Sequence, residues 1–210
     1  MAKAKIGASS VCPIFRTLIA LLVFLVCNNF DLHESRGDEI TSGFKLSLSV
    51  DKNHVRQDDE IKITGKIKNV SSSEILLYGR SPVYPTAQIK MFDQKEKPLI
   101  TYIKLIPEIE PPRANDIVKL GPGDELTKFF TVKIKRQRIQ DVEKGGHKFV
   151  EGLFLDFNNS AILIPQRGRY NLLFGIECSK EFAEEMERIL GFAEIWYGKA
   201  SSNPVEIVVE

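Results

Sequence analysis

The chain has 210 residues, of which 43% are hydrophobic and 27% charged. This composition is typical of a globular protein with room for one domain of ordinary size, and it excludes a disordered or collagen-like chain. The formal net charge is +1, but three basic residues precede Cys27 and no acidic residue occurs that early. The remainder therefore has 26 basic residues (29 less these three) against 28 acidic ones. Such a balance gives no electrostatic reason to expect nucleic-acid binding.

The first 27 residues have the pattern of an export signal. A basic, acid-free start leads into an uncharged apolar stretch from Thr17 to Cys27. This stretch matches the apolar region of a secretory signal and is shorter than the roughly 18–20 residues that cross a bilayer. We therefore predict that residues 1–27 are a signal peptide or membrane anchor, and that the protein is periplasmic, secreted or membrane-anchored.

The fate of this leader stays open. Phe24–Cys27 has the outline of a bacterial lipoprotein signal, in which Cys27 is acylated. Val26 departs from the small residue that normally precedes such a cysteine. Cleaved, lipidated and retained leaders are all compatible with the sequence.

The single thiol outside the leader is Cys178, because Cys12 and Cys27 lie within it. The sequence therefore predicts neither an internal disulfide nor a cysteine metal cluster. Cys178 ends an apolar strand pattern, which indicates a small buried hydrophobic residue rather than a nucleophile.

Residues 28–43 are polar and aperiodic, which is typical of a linker. From Phe44 onward, apolar residues alternate with polar ones, and this period of two is typical of half-buried strands. It predicts strands over 44–50, 61–67, 75–78, 88–92, 99–106, 126–138, 150–157, 170–176 and 205–209.

Many short strands, frequent Gly and Pro turns and no alternation of strands with helices predict an all-β fold. We predict an immunoglobulin-like β-sandwich over residues 44–210, with one short inserted helix and the leader helix before it. The alternation also predicts which side chains meet between the two sheets: Phe44, Leu46, Ile63, Tyr170, Leu172, Phe174, Val205 and Ile207.

The inserted helix is predicted over residues 179–190. Ser179 is a suitable N-cap, and Gly191 stands where a helix commonly ends. Glu184 and Arg188 are spaced to form an ion pair. The predicted apolar face consists of Phe182, Met186, Ile189 and Leu190.

Four segments of the domain resemble a recurrent pattern in exported bacterial proteins with immunoglobulin-like modules. They are Lys68-Asn-Val-Ser71, Leu120-Gly-Pro-Gly-Asp124, Gly168-Arg-Tyr170-Asn-Leu172, and Trp196-Tyr-Gly-Lys199 with Ser202-Asn203-Pro-Val205. Gly168-Arg-Tyr170 also looks like a tyrosine corner, whose hydroxyl bonds to nearby backbone. The domain is similar, more weakly, to BsuPI-type proteinase-inhibitor domains. It departs from the pattern in its helix and in the stretch 140–165, which we expect to lengthen loops. The resemblance implies a fold and export, and no reaction.

The sequence contains no recognisable catalytic motif: no H-E-x-x-H, nucleophile elbow, P-loop or dinucleotide fingerprint. His33, His54 and His147 are far apart in polar contexts, which favours solvated histidines. We therefore predict a protein that is not an enzyme and has no cofactor and no metal.

Asp58-Asp59-Glu60, with Asp51 nearby, could offer oxygens to calcium, but the usual ligand spacing is missing and a solvated turn is favoured. Asn69-Val-Ser71 and Asn158-Asn-Ser160 fit the glycosylation sequon, which matters only in a eukaryotic source.

Eight basic residues would form a stripe suited to an anionic lipid or polysaccharide if their strands were neighbours. The simpler interpretation is that outward lysines keep a sheet soluble and protect its edges. These residues are Lys62, Lys66, Lys68, Lys128, Lys133, Lys135, Arg136 and Arg138.

Phe192, Trp196 and Tyr197 follow the helix, and exposed aromatic residues of this kind are frequent hot spots of binding. Alternatively, Trp196 fixes the helix onto the sandwich. We predict a non-catalytic interaction or structural module of the cell envelope, with an unidentified protein or envelope component as partner. The alternative function is a protease inhibitor that acts through segment 107–112 or the loop near Trp196.

Overall fold

The computed structural model describes residues 43–79, 87–104, 112–141, 148–157 and 159–210. In these residues the chain forms antiparallel sheets and one α-helix, so the prediction of an all-β protein is confirmed. The predicted leader, residues 1–27, and all of the linker but Gly43 lie outside them. No helix within the described ranges is long and apolar enough to cross a membrane.

The strands and the helix have the following bounds. They are β1 (Phe44–Val50), β2 (His54–Val55), β3 (Glu60–Asn69), β4 (Ile75–Tyr78), β5 (Ala87–Phe92), β6 (Thr101–Ile103), β7 (Ile117–Leu120), β8 (Glu125–Asp141), β9 (Lys148–Asp156), β10 (Ser160–Ile164), β11 (Gly168–Cys178), α1 (Lys180–Leu190), β12 (Gly198–Ser201) and β13 (Val205–Val209).

The first sheet has the strand order β1-β3-β8-β9-β10-β6, and its neighbouring strands are antiparallel. β3 shows the cause of this arrangement most clearly. Ile61, Ile63 and Ile67 are fully buried, whereas the lysines between them are exposed. The alternation gives the sheet one apolar inner face and one polar outer face.

The second sheet is organised around β11. Along one side β11 pairs with β5, and along the other it pairs with β13 and then with β12. β13 in turn pairs with β2 in a parallel arrangement. Ser202 lies where β12 gives way to β13, and its buried hydroxyl accepts the Phe174 N–H at 3.1 Å. A separate ribbon is formed by β4 and β7.

The core is built from the inner faces of both sheets. Ile61 and Ile63 of the first sheet belong to the same buried cluster as Leu172 and Ile207 of the second. A second cluster joins Phe44, Leu46 and Ile67 to Phe174 and Ile176.

Seven of the eight predicted core residues are therefore buried. Val205 is the exception, because it is half-buried and belongs to neither cluster. It begins β13 directly after the exposed residues Asn203 and Pro204, and burial is complete only at Ile207 and Val209.

The stretch 140–165, expected to lengthen loops, instead contains the end of β8 and the strands β9 and β10. The sequence of β9 shows no clear alternation of apolar and polar residues, because side chains are buried on both faces of this strand. Leu155 packs in the core, and Phe154 packs with Ile139 and Ala161 in a cluster on the outer face of the first sheet. Of the strand predicted over 99–106, the described residues 99–104 contain the strand Thr101–Ile103, and residues 105 and 106 lie outside the described ranges.

The predicted helix ends are confirmed. The Ser179 hydroxyl accepts the Phe182 N–H at 3.2 Å, and Gly191 is left-handed with its N–H bonded to the Glu187 carbonyl. The predicted face is wrong at Ile189, which is 42% exposed, because the helix turns Ala183 and Met186 inward.

The predicted ion pair on this helix is also wrong. Arg188 bonds to Glu185, one turn before it, at 2.6 Å. Glu184 instead lies 3.6 Å from Lys180. Spacings of three and four residues both bring helical side chains together, so spacing alone does not select the partner.

Candidate functional site

The helix α1 covers the β4–β7 ribbon at one end of the domain. Tyr78 of β4 meets Phe182 of the helix edge to face, with 5.3 Å between ring centroids. Cys178, Met186 and Ile195 complete a small buried cluster with them. This cluster positions the chain that follows the helix.

The loop of residues 191–197 is held at three points. Gly191 closes the helix, and the Glu187 carboxylate accepts the Ile195 N–H at 2.7 Å. The Trp196 N–H donates to the Leu76 carbonyl at 2.8 Å. These bonds fix the backbone directly before Phe192 and directly before Tyr197.

The three predicted site residues have different environments. Trp196 is half-buried, packs against two core clusters and meets the Phe44 ring edge to face at 5.2 Å. Phe192 is half-buried, with the Lys119 ammonium 5.8 Å from its ring centroid. Tyr197 is 54% exposed. The indole therefore sits in an anchoring position, and Tyr197 presents the accessible aromatic surface.

Cys178 is buried, as its sequence context predicted. Burial, with a smaller contribution from the charge of Glu177, raises the pKa of the Cys178 thiol to about 12. A thiol with this pKa carries almost no thiolate at neutral pH, so Cys178 has a packing role.

The carboxylates of the acidic turn, Asp51 and Asp59, bind to other groups of the domain. Asp59 accepts the Arg56 N–H at 2.8 Å and lies 3.3 Å from the Lys52 ammonium. Asp51 accepts the Lys62 N–H at 2.9 Å. Among the described residues, no group of three or more His, Cys, Asp and Glu side chains is placed to hold a metal ion.

His54 is exposed and lies 3.1 Å from Glu210, which also accepts from Arg56 at 2.8 Å. The hydrogen bonds from Arg56 and His54 lower the pKa of Glu210. His33 and His147 lie outside the described residues.

The eight basic residues do not form one stripe, although β3 and β8 are neighbours. Lys128 is opposite Gly65, whose missing side chain would meet the core residue Phe174, so Lys128 belongs to the inner face. Arg136 and Arg138 share that side by the alternation of β8. The other five lie on the outer face: Lys62, Lys66, Lys68, Lys133 and Lys135.

Asn69 joins two of the motif segments and is fully buried. Its amide donates to the carbonyls of Ser73 and Leu120, and its oxygen accepts from Ser71. The Asn69 nitrogen is thus closed to glycosylation in the folded chain. Asn158 lies outside the described residues.

One ion pair on the outer face of the first sheet is not predicted by any sequence pattern. Asp156 accepts from Lys104 at 2.6 Å and Gln137 at 2.9 Å, and its side chain is 11% exposed. Burial raises the pKa of Asp156, but these bonds and the charges of Lys104 and Lys135 outweigh it, so the pKa is lowered. The sequence feature that could have indicated this site is a carboxylate between two apolar residues, Leu155 and Phe157. The partners of this carboxylate are remote in the sequence, so no local pattern identifies them.

No family model and no curated protein matches the chain. Among solved structures it is similar to a beta-glucosidase from Listeria innocua: the complex with isofagomine has 12% identity and the complex with gluconolactone 11%, both with a TM-score of 0.33. Each match covers 79% of this chain and 16% of the glucosidase chain, so this chain spans about a sixth of that enzyme. A likeness this distant supports no conclusion about fold or activity.

Proposed function

We propose that this protein is an exported, non-catalytic interaction module that binds a protein or envelope component through the 191–197 loop. The observation that carries the proposal is the contrast between the loop's fixed backbone and the 54% exposure of Tyr197. A rigid loop loses little conformational entropy on binding, and exposed tyrosine is a frequent hot-spot residue. Phe192, half-buried in the same loop, is the second aromatic residue of the proposed site.

The scaffold proposed for this site is an immunoglobulin-like β-sandwich. Two sheets, antiparallel except for the pairing of β2 with β13, share one core, which supports this scaffold. The Tyr170 hydroxyl donates to the Gln166 carbonyl at 2.5 Å, as in a tyrosine corner. Trp196 then has a structural role in the site, because its ring packs against two core clusters and so anchors the loop.

Photo-crosslinking from position 197 tests the binding surface. A benzophenone amino acid replacing Tyr197 should give a discrete adduct in the cells that make the protein. The same group at Ile100, which is 60% exposed, is the matched control. The protein recovered in the adduct should bind the purified chain, and Tyr197→Ala should weaken its Kd about tenfold or more, as for a hot-spot residue. Equal adducts from both positions, or an unchanged Kd, would contradict the proposal.

Export is tested by the mass of the mature protein. Loss of residues 1–27 supports a signal peptide, a diacylglycerol adduct on Cys27 supports a lipoprotein, and an intact chain in the membrane fraction supports an anchor. An intact chain in the cytosol would refute export. Turnover of an ester, glycoside or peptide, abolished by one point mutation, would refute the non-catalytic part.

The alternative is protease inhibition through the same loop. Its three fixed points would let it resist distortion in a protease cleft. The other loop predicted for this role, segment 107–112, lies outside the described residues except for Pro112. Inhibition of a protease at micromolar protein, lost in Tyr197→Ala, would support this alternative, and no inhibition across a broad panel would remove it.

A further inference from the structure

An aromatic side chain lies exposed on the outer face of the first sheet. Phe129 is 79% exposed and lies on the part of β8 that pairs with β3, before the pairing of β8 with β9 begins at Lys133. The next residue, Phe130, is opposite Ile63 and packs against the core. Phe129 therefore points outward, opposite Thr64. The fold gains nothing from this ring, and covering it would remove apolar surface from water.

Hydroxyl and ammonium groups surround this ring. Residues on the same strand two positions away, and residues directly or diagonally opposite on β3, share its face. These five neighbours are Thr127, Thr131, Thr64, Lys62 and Lys66. The ring thus lies on a flat surface with hydroxyl groups on three sides.

Positive charge accumulates beside the ring and is only partly compensated, because one carboxylate, Glu125 of β8, lies directly opposite Lys68. Lys45 of β1 is directly opposite Lys68 of β3, and like charges in this arrangement repel. In the part of the chain that the structure describes, Lys45, Lys62 and Lys68 form no ion pair. Lys66 does, with Glu125 at 2.8 Å. An anion placed over the Lys45–Lys68 pair would relieve the repulsion.

We call Phe129, its five neighbours and the Lys45–Lys68 pair the Phe129 face, and we propose that it binds an anionic polysaccharide. The apolar side of a sugar ring packs on Phe129, the threonine hydroxyls bond to sugar hydroxyls, and the lysines pair with carboxylate or sulfate groups. Lys68 lies four residues from Thr64 along β3, about 13 Å at the strand rise. The ligand is therefore an oligomer and not a single sugar.

The neighbours of Phe129 favour a polysaccharide over a bilayer. Insertion into a membrane needs several adjacent apolar side chains, whereas threonines and lysines adjoin this ring. The Phe129 face is also distinct from the 191–197 loop, so this inference does not depend on the partner proposed there.

Binding of the full chain to polygalacturonate and heparin, with dextran as the neutral probe, tests the inference. We expect both polyanions to bind and dextran not to bind. Phe129→Ala should weaken binding about tenfold, as for the loss of one packed ring, and should leave the salt dependence unchanged. Phe149→Ala is the matched control, because Phe149 is a 49% exposed ring under Arg138 on the inner side of β9.

Lys45→Gln with Lys68→Gln should weaken binding and reduce its salt dependence. Lys95→Gln with Lys97→Gln changes the net charge equally in a turn outside this face and should have no such effect. None of the four variants should melt at a lower temperature than the parent, and the Lys45 and Lys68 variant should melt at the same or a higher temperature, because it removes a like-charge pair. Absence of binding, equal losses in target and control variants, or tighter binding to phosphatidylglycerol vesicles or a single-stranded oligonucleotide would overturn the proposal.

Discussion

The Asn69 side chain donates a hydrogen bond of 2.8 Å to the backbone carbonyl of Leu120. Asn69 ends β3 and Leu120 ends β7, so the bond ties the first sheet to the separate ribbon. The backbone continues the link, because the Asn69 N–H donates to the Asp124 carbonyl. One buried amide therefore sets the position of the turn that begins β8.

Replacing Asn69 with alanine should destabilise the domain by about 2–4 kcal/mol, since buried partners lose their bonds. The Leu120 carbonyl and the Ser71 N–H would lose the side chain that binds them, and the Ser73 carbonyl would keep only its bond from the Ser71 hydroxyl. Urea unfolding followed by circular dichroism measures the change. Asn203→Ala is the control, because Asn203 is exposed and should be neutral. Similar losses for both substitutions would disprove the structural role of Asn69.

Leu172 and Asn171 are neighbours on β11, and we expect them to contribute very differently to stability. Leu172 is fully buried between the sheets, whereas Asn171 faces away from that core. Leu172→Ala should cost about 2–5 kcal/mol, by loss of burial and creation of a cavity. Asn171→Ala should change stability by less than about 0.5 kcal/mol. Thermal unfolding of the two variants decides the matter, and equal shifts in Tm would mean that the register is off by one residue.

Asp156 should make stability depend on pH in the acid range. Its folded-state pKa is lowered, so the stabilisation is fully present above the unfolded-state pKa of about 3.9 and is lost as pH falls through the folded-state value. Asp156→Asn should therefore be less stable than the parent at pH 7. The difference between their unfolding free energies should become smaller towards pH 3. Unfolding free energies at both pH values provide the measurement.

The control for this pH effect is Glu206→Gln. Glu206 pairs with Arg169 at 3.1 Å on the surface, where both side chains are at least half exposed. Exposed pairs contribute little, so this substitution should give no pH-dependent gap. A gap for Asp156→Asn that stays constant from pH 7 to pH 3 would exclude the charge effect.

Cys178 should be unreactive in the native protein. Its buried thiol, with a pKa of about 12, is shielded from reagents and almost entirely protonated at pH 8. Iodoacetamide labelling with peptide mapping should modify Cys178 in urea but not in buffer. Rapid native labelling would show that the cluster beneath α1 opens readily.

The sequence predicts most reliably where one face of an element is buried. β3 and β11 alternate without interruption, and their inner residues Ile63, Tyr170 and Leu172 are all in the core. The same rule fails on β9, because Phe154 is buried on the outer face and Leu155 on the inner one. The alternation of apolar and polar residues disappears when both faces of a strand are buried, so the sequence of such a strand resembles that of an irregular segment.

The candidate sites depend on contacts that no local pattern encodes. The anchoring position of Trp196 comes from Phe44, which is remote in the sequence. Lys128 looks equivalent to its neighbouring lysines until the pairing with Gly65 puts it on the other face. The alternation along β8 predicts that Phe130 faces the core, but it does not show that Phe129, on the other face, is 79% exposed.

The parallel pairing of β2 with β13 has a consequence for the timing of synthesis. β2 can pair with β13 only after β13 has been synthesised, because His54 lies opposite Val208. During translation, the second sheet therefore stays incomplete until residues 205–209 have left the ribosome. Distant pairings of this kind slow folding, and the exposed apolar strands need protection in the meantime.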